Sequence, residues 1–97
     1  MTAGKRSFVL YMDNHVWIRN LSDEQKGRLL DALFDYAEDV CETERRPLVY
    51  LEEYPHGLKT NTVTVFGFMA DTIYRDTRKW KRAQETKEAK KLQKDEP

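Results

Sequence analysis

Apolar residues recur at helical spacing between positions 21 and 41 of the chain. Ser22 precedes the periodic residues and Gln25 follows it by three positions, which is the spacing of a capping box. Asp23 and Glu24 place negative charge at the positive end of the helix dipole. We therefore predict a helix that begins just after Ser22. Its apolar stripe consists of Leu29, Leu30, Leu33, Phe34, Ala37, Val40 and Cys41.

A second stripe predicts a helix that begins between Asn61 and Val65, with Thr60, Asn61 or Thr62 as its N-cap. The stripe consists of Phe66, Met69, Ile73, Thr77 and Trp80, and is widened by Val65, Ala70 and Tyr74. It stops after Trp80, although residues 82–97 are rich in strong helix formers. We predict that residues 82–97 form either a protruding helical arm or a frayed tail, beside a helical domain of residues 1–81.

The remaining parts of the chain have weaker patterns. Residues 7–11 (SFVLY) suit a short strand or an extended, buried lead-in. Asp13 is a plausible N-cap for a short helix over residues 14–20. Between residues 42 and 61 the helical pattern is lost, because Pro47 disfavours helical geometry at Arg46. We predict a partly ordered connection there, with a possible short strand over residues 48–51.

These elements predict a mainly α fold, a small bundle of about three helices. It has a short extended N-terminal segment, possibly paired with residues near Leu48, and a long basic C-terminal helix. Gly27 lies inside the first long helix, where a glycine is unfavourable, so we expect another helix to pack closely against it.

The bulk composition narrows the class of protein. A chain of 97 residues forms one domain near the small end of what folds alone. No apolar run approaches the roughly 20 residues of a membrane span, and the N-terminus lacks the long apolar region of a signal peptide. Cys41 is the single cysteine, which excludes an internal disulfide and a thiolate metal cluster. We expect a protein of the bacterial cytoplasm that has no membrane partner.

Charge is separated along the chain, although the net charge is zero. Residues 74–94, the basic segment, hold nine cations and three acids and carry about +6. Within it Arg75, Arg78, Lys79 and Arg82 follow at three- and four-residue steps and share one helix face, and Lys87 and Lys90 continue the charge. Clustered cations of this kind suit phosphate contact. An exposed helix is also often Lys-rich for solubility alone, and Trp80 is more typical of a core than of a stacking platform.

The residues from Asp23 to Glu44 hold eight acids and two cations, about −6. Asp31, Asp35 and Glu38 are candidate contacts to a protein partner, with Trp17 and Tyr50 as aromatic anchors. The basic segment could pack on this acidic helix in its own chain or in a second subunit, giving a homodimer. Alternatively, it could reach a polyanion while the acidic face meets another protein. The sequence leaves both readings open.

Catalytic and metal-binding patterns are weak. His56 lies near Glu52 and Glu53, but an exposed acidic turn beside a histidine is far commoner than a divalent-metal site. His15 and Cys41 have no partners at a metal-like spacing, and the four glycines form no phosphate-binding loop. We expect no enzyme activity, no cofactor and no metal.

Two blocks of the sequence resemble a family of small uncharacterised proteins encoded mostly by bacteriophages and prophages. The first is SFVLYMD followed by LSDEQKGRLLDALFDYAED. The second is FMADTIYRDTRKW, whose Arg75-Asp76 and Lys79-Trp80 pairs resemble the R-D-x-x-K-aromatic signature of the family. In that family the module sometimes opens a longer, replication-type phage protein. The resemblance implies a helical fold and a phage setting, and it supplies no established activity.

Together, these observations predict a non-enzymatic phage or prophage accessory protein that acts by binding. The first choice is a nucleic-acid-associated or replication-associated role through the basic segment. The alternative is a protein-binding inhibitor or adaptor that acts on a host machine such as a defence system, through the acidic helix or exposed aromatics.

Overall fold

The computed structural model describes the backbone of residues 7–94 and the side chains of residues 7–87. The described chain is all-α and contains no strand. Its helices are α1 (His15–Ile18), α2 (Asp23–Thr43), α3 (Pro47–Glu53) and α4 (Thr60–Lys94), and a 3-10 turn (Met12–Asn14) precedes α1. The mainly α prediction is confirmed.

Helix α2 begins where its sequence predicts. The Ser22 hydroxyl oxygen accepts a hydrogen bond from the Gln25 amide at 3.2 Å. The helix ends at Glu44, which takes a left-handed backbone conformation (φ 54°) and donates its amide to the Val40 carbonyl at 3.0 Å. A left-handed residue at this position satisfies a carbonyl that the last turn would otherwise leave without a partner.

Helix α4 begins at Thr60, one residue before the predicted range, and continues without a break to Lys94. The Val63 amide donates to the Lys59 carbonyl at 2.8 Å in its first turn. Its buried face contains Thr62, Val65, Phe66, Met69, Ala70, Ile73 and Thr77, while Trp80 is half-buried. Residues 95–97, the end of the predicted arm or tail, lie outside the described residues.

Helices α2 and α4 run parallel, because contacts join both pairs of corresponding ends. Near their N-termini, Gln25 accepts a hydrogen bond from the Lys59 amide at 2.9 Å. Near the end of α2, Glu44 lies 3.7 Å from the Lys81 ammonium group. A parallel helix pair needs a connection that returns along its length, and residues 44–59 with α3 supply it.

The predicted strand over residues 48–51 is wrong, because these residues belong to helix α3. Pro47 occupies the first turn of α3, where its fixed φ suits a helix and its missing N–H is not needed. Arg46 is extended (ψ 155°), as a residue before proline should be. Pro47 therefore begins α3, whereas α2 has already ended at the left-handed Glu44. Tyr50 and Leu51 turn inward, and the Tyr50 ring lies 5.2 Å from Tyr36, centroid to centroid.

The N-terminal segment packs on the opposite side of α2 through one aromatic contact. Residues 7–11 form no strand, and their predicted pairing near Leu48 is wrong because that stretch is helical. Phe8 meets Phe34 edge-on at 5.1 Å. Asp13 lies inside the 3-10 turn rather than capping a helix. The Asn14 side-chain oxygen accepts the Tyr11 amide at 2.9 Å and so closes the 3-10 turn, but it caps no amide of α1.

The buried face of α2 is rotated from the predicted stripe. Leu29, Leu33 and Val40 are buried as expected, and the rest of the buried face is Gln25, Ala32 and Tyr36. Leu30 is 45% exposed and Phe34 is 54% exposed. The apolar residues of α2 therefore form two faces, one in the core and one toward the N-terminal segment. Cys41 is half-buried on the second face.

The expectation for Gly27 is also wrong. Gly27 is exposed, and a Cβ built on it would have no contact within 4 Å outside the adjacent helix backbone. Close helix packing therefore does not account for this glycine. The conformationally demanding glycine is Gly57, which has a φ of +68° in the loop before α4.

Gln25 fixes that loop from inside the protein. It is 4% exposed, its amide nitrogen donates to the Gly57 carbonyl at 3.2 Å, and its oxygen accepts from Lys59. Arg28, one turn later, donates to the His56 carbonyl at 3.3 Å and pairs with Glu24 at 2.9 Å. The side chains of the first turns of α2 therefore position the start of α4.

Candidate functional site

The predicted nucleic-acid-binding residues lie on the solvent face of α4. At about 100° per residue, Arg75, Arg78, Lys79 and Arg82 lie opposite the buried stripe that contains Phe66, Ile73 and Thr77. All four cationic side chains are exposed. We call this stripe of four the basic face. Its position follows from helical periodicity, since the alternating spacings of three and four return to one side of a helix.

Two members of the basic face have partners on their own helix. Arg75 forms an ion pair with Asp71 at 2.6 Å, an i,i+4 arrangement. Arg78 donates to the Tyr74 hydroxyl at 3.3 Å, and its guanidinium lies 5.6 Å from the Tyr74 ring centroid. Both arginines therefore have their guanidinium groups oriented, while their side chains stay open to solvent.

Arg46 joins this surface from α3, and the sequence pattern did not reveal it. Its guanidinium lies 5.8 Å from the centroid of the same Tyr74 ring. Arg46 is exposed and precedes the first residue of α3. The parallel α2–α4 arrangement brings the start of α3 to this point on α4, and such tertiary proximity leaves no local signal in the sequence.

The other predicted cations of α4 differ in their exposure and in their ion pairs. Lys79, Arg82 and Lys87 are exposed, and no ion pair between described side chains involves them. Lys90 lies on the α4 backbone, but its side chain is outside the described ones. Lys81 pairs with Glu44, so one cation of the basic segment meets the acidic helix within the same chain.

The acidic residues of α2 line a groove against α3. The groove has a volume of about 340 Å³ and is lined by Asp35, Glu38, Asp39, Glu42, Tyr50 and Tyr54. Of the three acids predicted as interface residues, Asp35 and Glu38 line this groove, and Asp31 is exposed one turn earlier on α2. The structure therefore brings two of the three into one concave surface.

An arginine of the chain contacts three of the residues that line this groove, Asp39, Tyr50 and Tyr54. Arg45 donates to both carboxylate oxygens of Asp39 at 2.7 Å and also pairs with Glu53. Its guanidinium lies 5.7 Å from the Tyr50 ring centroid and 5.6 Å from that of Tyr54. The hydrogen bonds from Arg45 lower the pKa of Asp39 below its ordinary value. Bidentate pairing and ring contact are the interactions that favour arginine over lysine.

Tyr50 is part of the core, so its predicted role as an exposed anchor is wrong. It is 3% exposed, and its hydroxyl lies 2.7 Å from the Nε2 atom of His56. Burial, together with the nearby Asp35 and Asp39 carboxylates, raises its pKa to about 12. The prediction failed because α3 was not foreseen, and this helix turns Tyr50 inward. Tyr54, 46% exposed, is the accessible aromatic of this groove.

Trp17, the other predicted aromatic anchor, lies elsewhere. It is 41% exposed and packs against Phe68 of α4, with 5.2 Å between ring centroids. Phe68 is itself 57% exposed. Trp17 does not line the acidic groove, so the predicted interface residues do not form one surface.

The histidine considered as a metal ligand has other contacts. His56 stacks on Tyr50 at 5.7 Å, and its Nε2 atom lies 3.8 Å from an Asp35 carboxylate oxygen. Within the described residues, no group of three or more His, Cys, Asp or Glu side chains could hold a metal ion. No helix in the described part of the chain is long and apolar enough to cross a membrane.

Comparison with known proteins places the chain in a family without assigning an activity. No curated protein and no solved structure matches it. A family model matches residues 7–97, which include every helix described above. The chain therefore belongs to DUF6291, a family of unknown function.

Proposed function

We propose that this chain is a non-enzymatic phage or prophage accessory protein that binds nucleic acid through the basic face of α4. The observation that carries the proposal is the position of Arg75, Arg78, Lys79 and Arg82, exposed together on the side of α4 opposite its buried stripe. The phage setting rests on the resemblance of the two sequence blocks given above.

The contact we propose is electrostatic and independent of base sequence. Arginine and lysine side chains that neutralise phosphates release condensed counterions, so affinity falls as salt rises. Four such contacts give a slope of about −3.6 in log K against log salt for a duplex. The Arg78 guanidinium, which Tyr74 orients without neutralising it, suits bidentate contact with phosphate oxygens. Arg46 adds a cation beside Arg78 through the shared Tyr74 ring.

The shape of α4 also supports this role. Lys81 contacts Glu44, the C-cap residue of α2, so α4 continues beyond the end of its neighbour. The described molecule measures 61 × 28 × 18 Å, which reflects this long helix. A single α-helix has the width that a B-DNA major groove admits, about 12 Å. Arg82 and Lys87 follow this contact on α4, so these two cations can approach phosphates without a clash from the helical core.

Fluorescence anisotropy with a labelled, mixed-sequence duplex tests the proposal as salt is varied. The test variant is Lys79→Gln/Arg82→Gln, because neither side chain has an ion pair among the described residues. The control is Arg19→Gln/Lys59→Gln, which removes two exposed cations from other parts of the surface. We expect the test variant to bind more weakly and to reduce the salt slope by about 1.8. The control should behave as the wild type does.

Two results would refute this function. One is a wild-type protein whose binding is absent or insensitive to salt. The other is an equal loss in both double variants, which would show that net charge matters and the basic face does not.

The acidic groove favours a second candidate, a protein-binding inhibitor or adaptor that acts on a host machine such as a defence system. The observation behind it is Arg45, whose guanidinium contacts Asp39, Tyr50 and Tyr54 beside this groove, so the same residue types could receive an arginine of a partner. Asp35→Asn/Glu38→Gln should then abolish activity on a protein target, whereas Lys79→Gln/Arg82→Gln should retain it. The opposite pattern would exclude this candidate.

A further inference from the structure

Helices α1 and α4 hold an exposed pair of aromatic side chains outside the core. Trp17 and Phe68 contact each other with 5.2 Å between ring centroids and 33° between ring planes. Both side chains are exposed, and neither belongs to the core cluster. Their contact fastens α1 to α4, which accounts for the surfaces that touch. The exposed surfaces of the two rings have no structural role.

Helical periodicity places Phe68 in line with the basic face. Arg75, Lys79 and Arg82 follow Phe68 by seven, eleven and fourteen residues. At about 100° per residue, all three lie within about 40° of Phe68 around the helix axis. At about 1.5 Å per residue, Arg75 lies about 10.5 Å and Arg82 about 21 Å along the axis from Phe68. The aromatic pair and the basic face therefore form one continuous surface along α4.

This surface carries little negative charge. Helix α1 (HVWI) and residues 60–70 of α4 contain no acid. Asp71 is the one acid between Phe68 and Arg75 in the sequence, and it pairs with Arg75 at 2.6 Å. Lys79 and Arg82 follow, with no ion pair among the described side chains. Positive charge therefore increases along α4 from the aromatic pair toward Arg82.

We propose that Trp17 and Phe68 stack on bases of a single-stranded nucleic acid whose phosphates contact the basic face. Because the phosphates must lie on the basic face, this stacking contact rests on the proposed function. Proteins that bind single strands without sequence preference combine a track of cations with aromatic rings on which bases stack. The bases of a duplex are stacked on one another, so a duplex can use only the cations.

Charge complementarity selects this occupant. A partner that covers the whole surface must offer a flat apolar group to the aromatic pair and negative charges, one after another, to the cations of α4. A single strand offers both, as bases and as phosphates. An apolar segment of a protein would cover the rings and leave the cations of the basic face without partners.

Fluorescence anisotropy of the full chain with labelled oligo-dT and with a dT·dA duplex of the same length tests the ligand class. Electrostatic attraction alone favours the duplex, whose salt slope per phosphate contact is about 0.9 against about 0.7 for a single strand. We expect the single strand to bind more tightly, because only its bases can stack. Equal or tighter binding of the duplex would overturn the stacking contact. Oligo-rU should bind with an affinity similar to that of oligo-dT, since neither stacking nor phosphate contact recognises the sugar.

Phe68→Leu removes the aromatic ring and keeps an apolar side chain at the site. Phe34→Leu is the matched control, because Phe34 is also exposed and also contacts one aromatic ring, that of Phe8. Phe34 lines a groove with Ile73, on the side of α4 away from the basic face. Phe68→Leu should weaken oligo-dT binding by about tenfold, with an unchanged salt slope because stacking releases no counterions. Phe34→Leu should bind as the wild type does, and equal affinities of the two variants would contradict the stacking contact.

Tryptophan fluorescence tests stacking while leaving the aromatic pair intact. The chain has two tryptophans, so Trp80→Phe leaves Trp17 as the only one. Saturating oligo-dT should quench the emission of Trp17 in this variant. Trp17→Phe is the control, since it keeps a ring beside Phe68 and reports on the half-buried Trp80, whose emission should change little. Unchanged Trp17 emission at saturation would show that no base stacks there.

These measurements separate the stacking contact from the proposed function. Salt-dependent binding that does not distinguish duplex from single strand, or wild type from Phe68→Leu, would keep the basic face as the binding surface and overturn stacking alone. Binding to neither nucleic acid would overturn both. A wild-type dimer that Phe68→Leu dissociates, with unchanged affinity for oligo-dT, would make the aromatic pair a contact between subunits and overturn stacking as well.

Discussion

Gln25 offers the sharpest test of how this fold is held together. Replacing it with alanine removes two hydrogen bonds, to the Gly57 carbonyl and from the Lys59 amide. Each contributes about 0.5–1.5 kcal/mol net, and the lost methylene burial adds about 0.8 kcal/mol. Gln25→Ala should therefore lower the free energy of unfolding by about 2–4 kcal/mol. For a domain of this size, that loss is a large fraction of the total stability.

Urea denaturation followed by circular dichroism measures this change as a lower midpoint with an unchanged m-value. Lys26→Ala is the control, because Lys26 is adjacent on α2 and makes only a weak surface pair with Asp23 at 3.8 Å. We expect the control to change stability by at most about 0.5 kcal/mol. A Gln25→Ala variant as stable as the control would refute the role assigned to Gln25.

Gln25→Glu separates hydrogen bonding from packing, because the two side chains have nearly the same shape. At pH 7 an ionised carboxylate has no donor for the Gly57 carbonyl, and its charge is buried. Protonation restores a donor, and burial raises the pKa of the introduced carboxyl group. Relative to wild type at the same pH, the variant should therefore lose more stability at pH 7 than at pH 4. Equal losses at the two values would show that packing alone matters.

Three further predictions concern stability. Gly27→Ala should raise the free energy of unfolding by about 0.5–1 kcal/mol, because the site is helical and open. Gly57→Ala should lower it by about 1–2 kcal/mol, because this residue has a positive φ. The midpoints of urea denaturation measure both changes. Thr62→Val should be neutral or stabilising by about 1 kcal/mol in the same assay, because the buried Thr62 hydroxyl has no hydrogen-bond partner among the described residues. Burial raises the pKa of Tyr36 and of Tyr50 above the ordinary value of about 10. The fold favours the protonated form of both tyrosines, so their contribution to stability is complete below pH 10 and is lost as the pH rises above it. Deprotonation of these two side chains, measured by absorbance at about 295 nm, should therefore occur only when alkali unfolds the protein.

The sequence predicted well what local interactions decide. The start of α2 follows from Ser22, whose hydroxyl caps the helix as expected. The basic face could also be predicted, because residue spacing fixes which side chains share a side of a helix. The rest depends on tertiary packing. Gln25 stands at a capping-box position, but its side chain does not cap α2. It forms hydrogen bonds with a loop more than thirty residues away.

Hydrophobicity alone was also a poor guide to which residues of α2 are buried in the core. Leu30 and Phe34 are strongly apolar, yet they lie on the second face, while Tyr36 is fully buried. The Tyr36 hydroxyl can be buried because it donates to the Arg45 carbonyl at 2.7 Å. That partner exists only because the chain turns at Glu44, which no pattern within α2 reveals. The location of Tyr50 and the contact of Arg46 with Tyr74 depend in the same way on α3.

The parallel order of α2 and α4 has a consequence for how the chain folds. Contacts between α2 and the turn that follows it join near neighbours, such as Tyr36 and Arg45, nine residues apart. The contact of Gln25 with Lys59 spans thirty-four residues. The entropic cost of loop closure rises by about 0.6 kcal/mol for each doubling of length, so the short connection closes more cheaply. We expect the contacts between α2 and the turn before α3 to form first, and α4 to pack against them afterwards.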